Sequence, residues 1–93
     1  MQFMVIEHFH GADAAAIYAR LAERGRQMPD GLHFVASWVA ADLSRCFQVM
    51  ACEDVTLLQR WVALWRDLAR FEIVPVAEGA ATRHALDPGA EAN

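Results

Sequence analysis

The chain lacks most of the features that assign a function on sight. It has no cluster of basic residues, and its formal charge of −4 argues against nucleic acid as a partner. No apolar run approaches the ~20 residues of a bilayer-spanning helix. The N-terminal stretch MQFMVIEHF has no basic leader and reads as a strand, not a signal peptide. There is no glycine-rich phosphate loop, no internal repeat and no sign of a second domain. Cysteine is scarce: Cys46 and Cys52 lie on one expected strand, roughly 20 Å apart at strand rise, and cannot bridge within a chain. They read as free thiols of a reducing cytoplasm. A thiol nucleophile is not assembled either. Cys46 has only His8 and His33 as conceivable partners, with no third group to orient them.

What is present is apolar. The hydrophobic content of 56% exceeds the usual 45–50% of soluble domains. Ninety-three residues make one domain with a modest core. The excess apolar surface needs a cover, and a second copy of the chain is the economical one. The expected state is a cytoplasmic homodimer with no membrane partner.

The central stretch, Leu32 to Cys52, reads as a β-hairpin with a tight turn at Ala40-Ala41-Asp42-Leu43. With Ala41-Asp42 as the turn centre, Val39 lies opposite Ser44 and Trp38 opposite Arg45. One face then carries Leu32, Phe34, Ala36 and Trp38 beside Phe47, Val49 and Ala51, and is the expected core face. The other carries His33, Val35, Ser37 and Val39 beside Ser44, Cys46, Gln48 and Met50. That mixture suits a semi-polar cavity or a subunit interface.

Around the hairpin the order is strand, helix, hairpin, helix, strand. Gln2 to Phe9 is a strand apolar on both sides, as interior strands are. Asp13 is a good N-cap for a helix to about Arg26, with Ala14, Ile17, Tyr18, Leu21 and Ala22 as its stripe. Arg20, Glu23, Arg24 and Arg26 fall largely on its wet side. Pro29-Asp30-Gly31 signals a turn. Asp54 caps a second helix from Val55 to about Leu68, whose stripe is Leu58, Trp61, Val62 and Trp65. Phe71 to Val76 is the last strand, and Pro75 restricts it to an edge. Ala80 to Leu86 can form a helical turn, and disorder is expected from Asp87-Pro88-Gly89 onwards.

Right-handed crossovers on this β-α-β-β-α-β order give a ferredoxin-like α+β domain over residues 1–78. Its four-stranded antiparallel sheet has the order 4-1-3-2, with both helices on one face and residues 79–93 as a tail. The two-sided strand falls in the centre and the Pro75 strand on an edge.

Several segments together resemble a small bacterial family of domains of unknown function that sits among the dimeric α+β barrels. They are Gly25-Arg26 with Pro29-Asp30-Gly31-Leu32, Ser37-Trp38-Val39, Arg45-Cys46-Phe47-Gln48, Leu57-Leu58-Gln59-Arg60-Trp61, Trp65-Arg66-Asp67-Leu68 and Phe71-Glu72-Ile73-Val74-Pro75-Val76. The resemblance covers roughly residues 1–80 and implies a protomer whose sheet faces that of a partner. Superfamily relatives include cofactor-free monooxygenases, muconolactone-isomerase-like enzymes and stress-responsive barrel proteins, but the family has no agreed activity and lends no catalytic residues. The chain departs from the family pattern at Ala51, where an acidic residue often ends the third strand. Glu53 is the nearest substitute.

Individual residues offer candidates. Glu72, a carboxylate in an apolar strand, and His8 are the acid–base candidates; the edge position of Glu72 favours a merely solvated carboxylate over a general acid or base. His33, Ser37 and Gln48, with Trp38 near the turn, form a candidate ligand-binding set. They serve equally as polar pins of a dimer interface. Trp38, Trp61 and Trp65 could line a pocket for a flat ligand, but helical spacing favours Trp61 and Trp65 as core residues. His8 and His10 have the H-x-H spacing of metal sites, but with only His33, Cys46 or Glu72 as further ligands no metal is assigned. Nothing calls for a cofactor. Two readings follow. One is a homodimer binding a small organic molecule in a semi-polar cavity, with cofactor-independent oxygenase- or isomerase-like chemistry. The other is a non-catalytic structural dimer with a filled interior.

Overall fold

A computed structural model describes residues 1–12, 14–87 and 89. Its sheet contains β1 (Gln2–Phe9), β2 (His33–Val39), β3 (Arg45–Ala51) and β4 (Ala69–Val76), all antiparallel. The spatial order β2-β3-β1-β4 is the expected 4-1-3-2 read from the other edge. β1 is central, pairing with β3 on one side and β4 on the other. Pro75 sits on edge strand β4, where its missing N–H costs no ladder bond.

Helices α1 (Ala15–Arg24) and α2 (Val55–Trp65) follow β1 and β3, and a third, α3 (Gly79–Ala85), follows β4. Asp54 caps α2 as its sequence position indicates: its carboxylate accepts from Thr56 N at 2.9 Å. The Asp13 cap expected for α1 lies outside the described residues, as does most of the expected tail beyond Asp87. No helix among the described residues is long and apolar enough to cross a membrane.

α1 and α2 cover one face of the sheet. That face carries Phe3 and Val5 from β1 and Met50 from β3, packed with Leu58, Trp61 and Trp65 of α2. Trp61 also meets Phe71 of β4 edge-on at 5.4 Å between ring centroids. The helices differ in fit. α2 buries three large side chains completely, whereas no residue of α1 is fully buried. An Arg20–Asp67 bidentate pair (2.8 and 2.6 Å) joins α1 to the end of α2 at the surface.

The hairpin corrects the expected register and the expected core face. The turn at Ala40–Leu43 forms, closed by Leu43 N donating to Ala40 O, and Asp42 accepts from Ser44 N and Oγ. The loop is longer than the tight turn requires, so Val39 pairs with Cys46 and Trp38 with Phe47. This shift by two residues leaves the faces as sequence alternation sets them. What reverses is their use. Cys46, Gln48 and Met50 are buried on the helix side, while Ala36, Trp38, Phe47, Val49 and Ala51 line the open side. A bulge between Phe34 and Ala36 then separates residues expected to be together: Phe34 faces Met50 and His33 faces Ala51.

The segment entering β2 is a turn closed by Leu32 N donating to Pro29 O at 3.1 Å. Gly31 has φ +92°, and a Cβ there would lie 2.9 Å from Leu57 Cδ1. Both the left-handed backbone and the close approach call for glycine. Gly31→Ala is therefore expected to destabilise the domain by about 1–3 kcal/mol, read as a lower urea midpoint with an unchanged slope.

Candidate functional site: a buried carboxyl beneath the first helix

Alternation along β1 places Phe3, Val5, Glu7 and Phe9 on the helix-covered face. Glu7 is the one acid in this stripe and is only 4% exposed. Gln48 sits on the neighbouring strand opposite Val5, diagonal to Glu7, and is 5% exposed. Its Nε2 donates to Glu7 Oε1, while its Oε1 has no hydrogen-bond partner. The amide suits either charge state of the acid. An ionised Glu7 accepts from Nε2; turned over, the amide accepts the proton of a neutral Glu7.

Burial pushes the Glu7 carboxyl up to about 7, against the smaller opposing effects of the Arg26 charge and the Gln48 hydrogen bond. Glu7 can therefore both give and take a proton near neutral pH. Cys46, its register partner on β3, goes the other way for reactivity. Burial and the nearby Glu7 push its thiol up to about 11, so it is a thiol and not a thiolate at neutral pH.

Glu7 opens onto two adjoining cavities between α1 and the sheet, which share Ile17, Leu21 and Arg26 as walls. The first, about 40 Å³, is also lined by Trp61 and Trp65. The second, about 60 Å³, reaches Tyr18, Ser37 and Cys46. At ~15 Å³ per water the larger has room for about four waters. This space exists because α1 does not pack down fully on the sheet.

Arg26 reaches this space from the loop after α1, which ends at Gly25 (φ +69°) and continues through Gln27 in the left-handed region (φ +58°). Its backbone oxygen accepts from the indole N–H groups of Trp61 (2.8 Å) and Trp65 (3.2 Å). Its guanidinium lies over the Phe34 ring at 3.7 Å from the centroid. The wet-side placement expected from helical spacing fails because Arg26 lies beyond the helix end.

The sequence-derived candidates divide between the two sheet faces. Ser37 and Gln48 are brought together as register partners on the cleft side. His33 is exposed opposite Ala51, and Trp38 is 57% exposed on the open face. His8 and Glu72 meet on that open face, with His8 Nε2 3.5 Å from Glu72 Oε1, beyond a good hydrogen bond. His10 leaves the strand for a 3-10 turn, so the two histidines of H-x-H do not share a strand face. Among the described residues no group of three or more His, Cys, Asp or Glu could hold a metal ion. Sequence reading missed Glu7 and Arg26. The signal for Glu7 was its place in the alternation Phe3-Val5-Glu7-Phe9; nothing periodic marks Arg26.

A family model described as "Domain of unknown function (DUF3303)" matches residues 1–90. The chain belongs to the DUF3303 family. This agrees with the resemblance to an uncharacterised domain family. No curated protein matches this DUF3303 sequence. Among solved structures, protein Atu4242 from Agrobacterium tumefaciens is similar at 13% identity and a TM-score of 0.48, over 85% of this chain and 96% of that one.

The titration of Glu7 links to stability. An unfolded glutamate loses its proton near 4.3, whereas folded Glu7 holds it to about 7. Glu7's own contribution to stability is thus fully present below about pH 4 and is lost as pH rises, levelling off above about 7, by roughly 3–4 kcal/mol in all. Glu7→Gln is expected to abolish this fall and to be more stable than wild type at pH 8. Urea titrations of both proteins from pH 4.5 to 8 check it, and parallel curves would refute it.

Proposed function

We propose that this DUF3303 domain binds a small organic molecule in the cleft between α1 and the sheet, and that Glu7 exchanges a proton with it. The observation carrying the proposal is a buried carboxyl that titrates near neutrality at the wall of a cavity it shares with an arginine. In the chemistry envisaged, ionised Glu7 removes a proton from a C–H or O–H of the ligand, and Arg26 stabilises the negative charge left behind. Returning the proton to another position is isomerase-like; exposing the resulting carbanion to oxygen is oxygenase-like. Both begin with the same proton transfer and need no bound cofactor for it. Gln48 positions Glu7, and Cys46 lines the site as a neutral, small group. The cavity in which Ser37 takes part lies under the helices, on the semi-polar face of the hairpin.

The proposal includes a cytoplasmic homodimer. Its support is the open sheet face, where Trp38 is 57% and Val74 41% exposed among half-buried Met4, Ile6, Phe47 and Val49. A twofold contact places this patch against itself. The free thiols of Cys46 and Cys52 suit a reducing compartment.

Two experiments test the proposal. A fragment screen by heteronuclear NMR is expected to shift the indole signals of Trp61 and Trp65 and to leave Trp38 unmoved. A screen in which no fragment perturbs Trp61 or Trp65 would remove the ligand reading. Light scattering after gel filtration is expected to give twice the chain mass for the wild type and a monomer for Trp38→Glu. A monomeric wild type at ~100 μM, far above the Kd of an ordinary stable dimer, would remove the dimer.

A further inference from the structure

The arginines of this protein are not alike. Arg20 spends its guanidinium on Asp67 in a two-pronged ion pair. Arg26 does not. No acidic side chain among the described residues lies within ion-pair distance of it, and none of the side-chain hydrogen bonds involves its guanidinium. Yet the residue is held from two directions. Two indole N–H groups fix its backbone carbonyl, and the Phe34 ring supports the guanidinium plane. Much of the entropy that a free arginine side chain loses on binding is therefore already spent in folding. The residue lines both cavities. A held guanidinium that acts on Glu7 only as a nearby charge, with no direct ion-pair partner, matches a carboxylate, which it can bind through two parallel hydrogen bonds.

The rest of the wall adds shape. Trp61, Trp65, Ile17 and Leu21 line the first cavity. Aromatic rings and branched aliphatic side chains favour a flat, apolar body. The volume limits that body to a single small ring or a short conjugated chain.

We propose that the ligand of this cleft is a small, flat organic carboxylate, with its charged group on the Arg26 guanidinium and its body against Trp61 and Trp65. The assignment rests on the small-molecule reading above and narrows it to one chemical class. It also places the ligand's first carbons beside Glu7, because Glu7 and Arg26 are walls of the same two cavities. Arg26 is then the specificity-determining residue and Glu7 the proton-transfer group.

The test compares acids with their uncharged isosteres on the full chain. Benzoate and 2-furoate are titrated against benzamide and 2-furamide, using tryptophan fluorescence and calorimetry. Each acid is expected to bind at least tenfold more tightly than its amide. Arg26→Gln is expected to erase that preference by weakening the acids and sparing the amides. Arg26→Lys keeps the charge without the fork and is expected to retain part of the preference. Arg83→Gln, exposed on α3, serves as the control that changes neither. Acids and amides binding equally well to the wild type would overturn the carboxylate assignment and leave the small-molecule reading intact. A preference that survives in Arg26→Gln would overturn the role of Arg26. Failure of all four compounds to bind would overturn the assignment together with the reading beneath it. Should Arg26→Gln fail to fold, the wild-type comparison and Arg26→Lys still decide the matter.

Discussion

Placing an ionisable carboxyl in the buried stripe of the central strand constrains the whole helix-covered side. Glu7 lies between Val5 and Phe9, where an apolar residue would let α1 settle onto the sheet. A buried acid must instead be kept neutral or be hydrogen-bonded and balanced by charge. The fold supplies both remedies. Gln48 provides the hydrogen bond from the next strand, and Arg26 provides charge from the loop after α1. Neither group fills space as a packed hydrocarbon does. α1 accordingly has no fully buried residue, while α2, lying over Phe3, Val5 and Met50, buries Leu58, Trp61 and Trp65. The cleft lies beside that carboxyl, which lines both of its cavities.

The tryptophans show why a division into core and functional residues fails here. Trp61 and Trp65 are 3% and 4% exposed and belong to the main hydrophobic cluster. Their indole rings also form the inner wall of the cavity, and their N–H groups hold the peptide carbonyl of Arg26. A buried indole needs an acceptor for its N–H. Meeting that need with one shared carbonyl fixes the loop that brings the arginine in. Stability of α2 and placement of Arg26 are thus one arrangement, and a substitution at either tryptophan acts on both.

The strand order was legible because it rests on rules that need only a few residues. Two-sided apolarity marks β1 as central, and Pro75 marks β4 as an edge. The use of the hairpin faces was not legible. Hydrophobic pattern specifies a core face only where the other face is wet. In this hairpin the helix side includes Cys46, Gln48 and Met50, while the open side includes Trp38, Phe47 and Val49. Apolar residues stand on both sides of the hairpin, and composition does not say which one the helices cover. The bulge at Val35 was equally hidden, because one extra residue moves His33 away from Ser37 without leaving a compositional trace. Of the candidate site, Ser37 and Gln48 could be read from alternation, and so could Glu7 had the stripe of β1 been followed to its end. Arg26 could not, since a loop residue has no period to place it.

A sheet that buries Glu7 and Gln48 within an otherwise apolar helix-covered face, and leaves Trp38, Phe47, Val49 and Val74 on its open face, departs from the one-sided pattern usual for antiparallel sheets. The departure is understandable if both faces are interior in the working protein. In the proposed homodimer the open face is covered, and its polar groups come under the rules that govern buried ones. His8 and Glu72 already stand together there, with Arg45 and Arg70 as register partners of His8 on either side. Charges of both signs on a self-facing surface can pair across the twofold axis, whereas mispaired copies leave them unsatisfied. In that proposal His8 and Glu72 of the open face fix how two copies meet, and the proposed proton transfer belongs to Glu7 on the other side of the same strand.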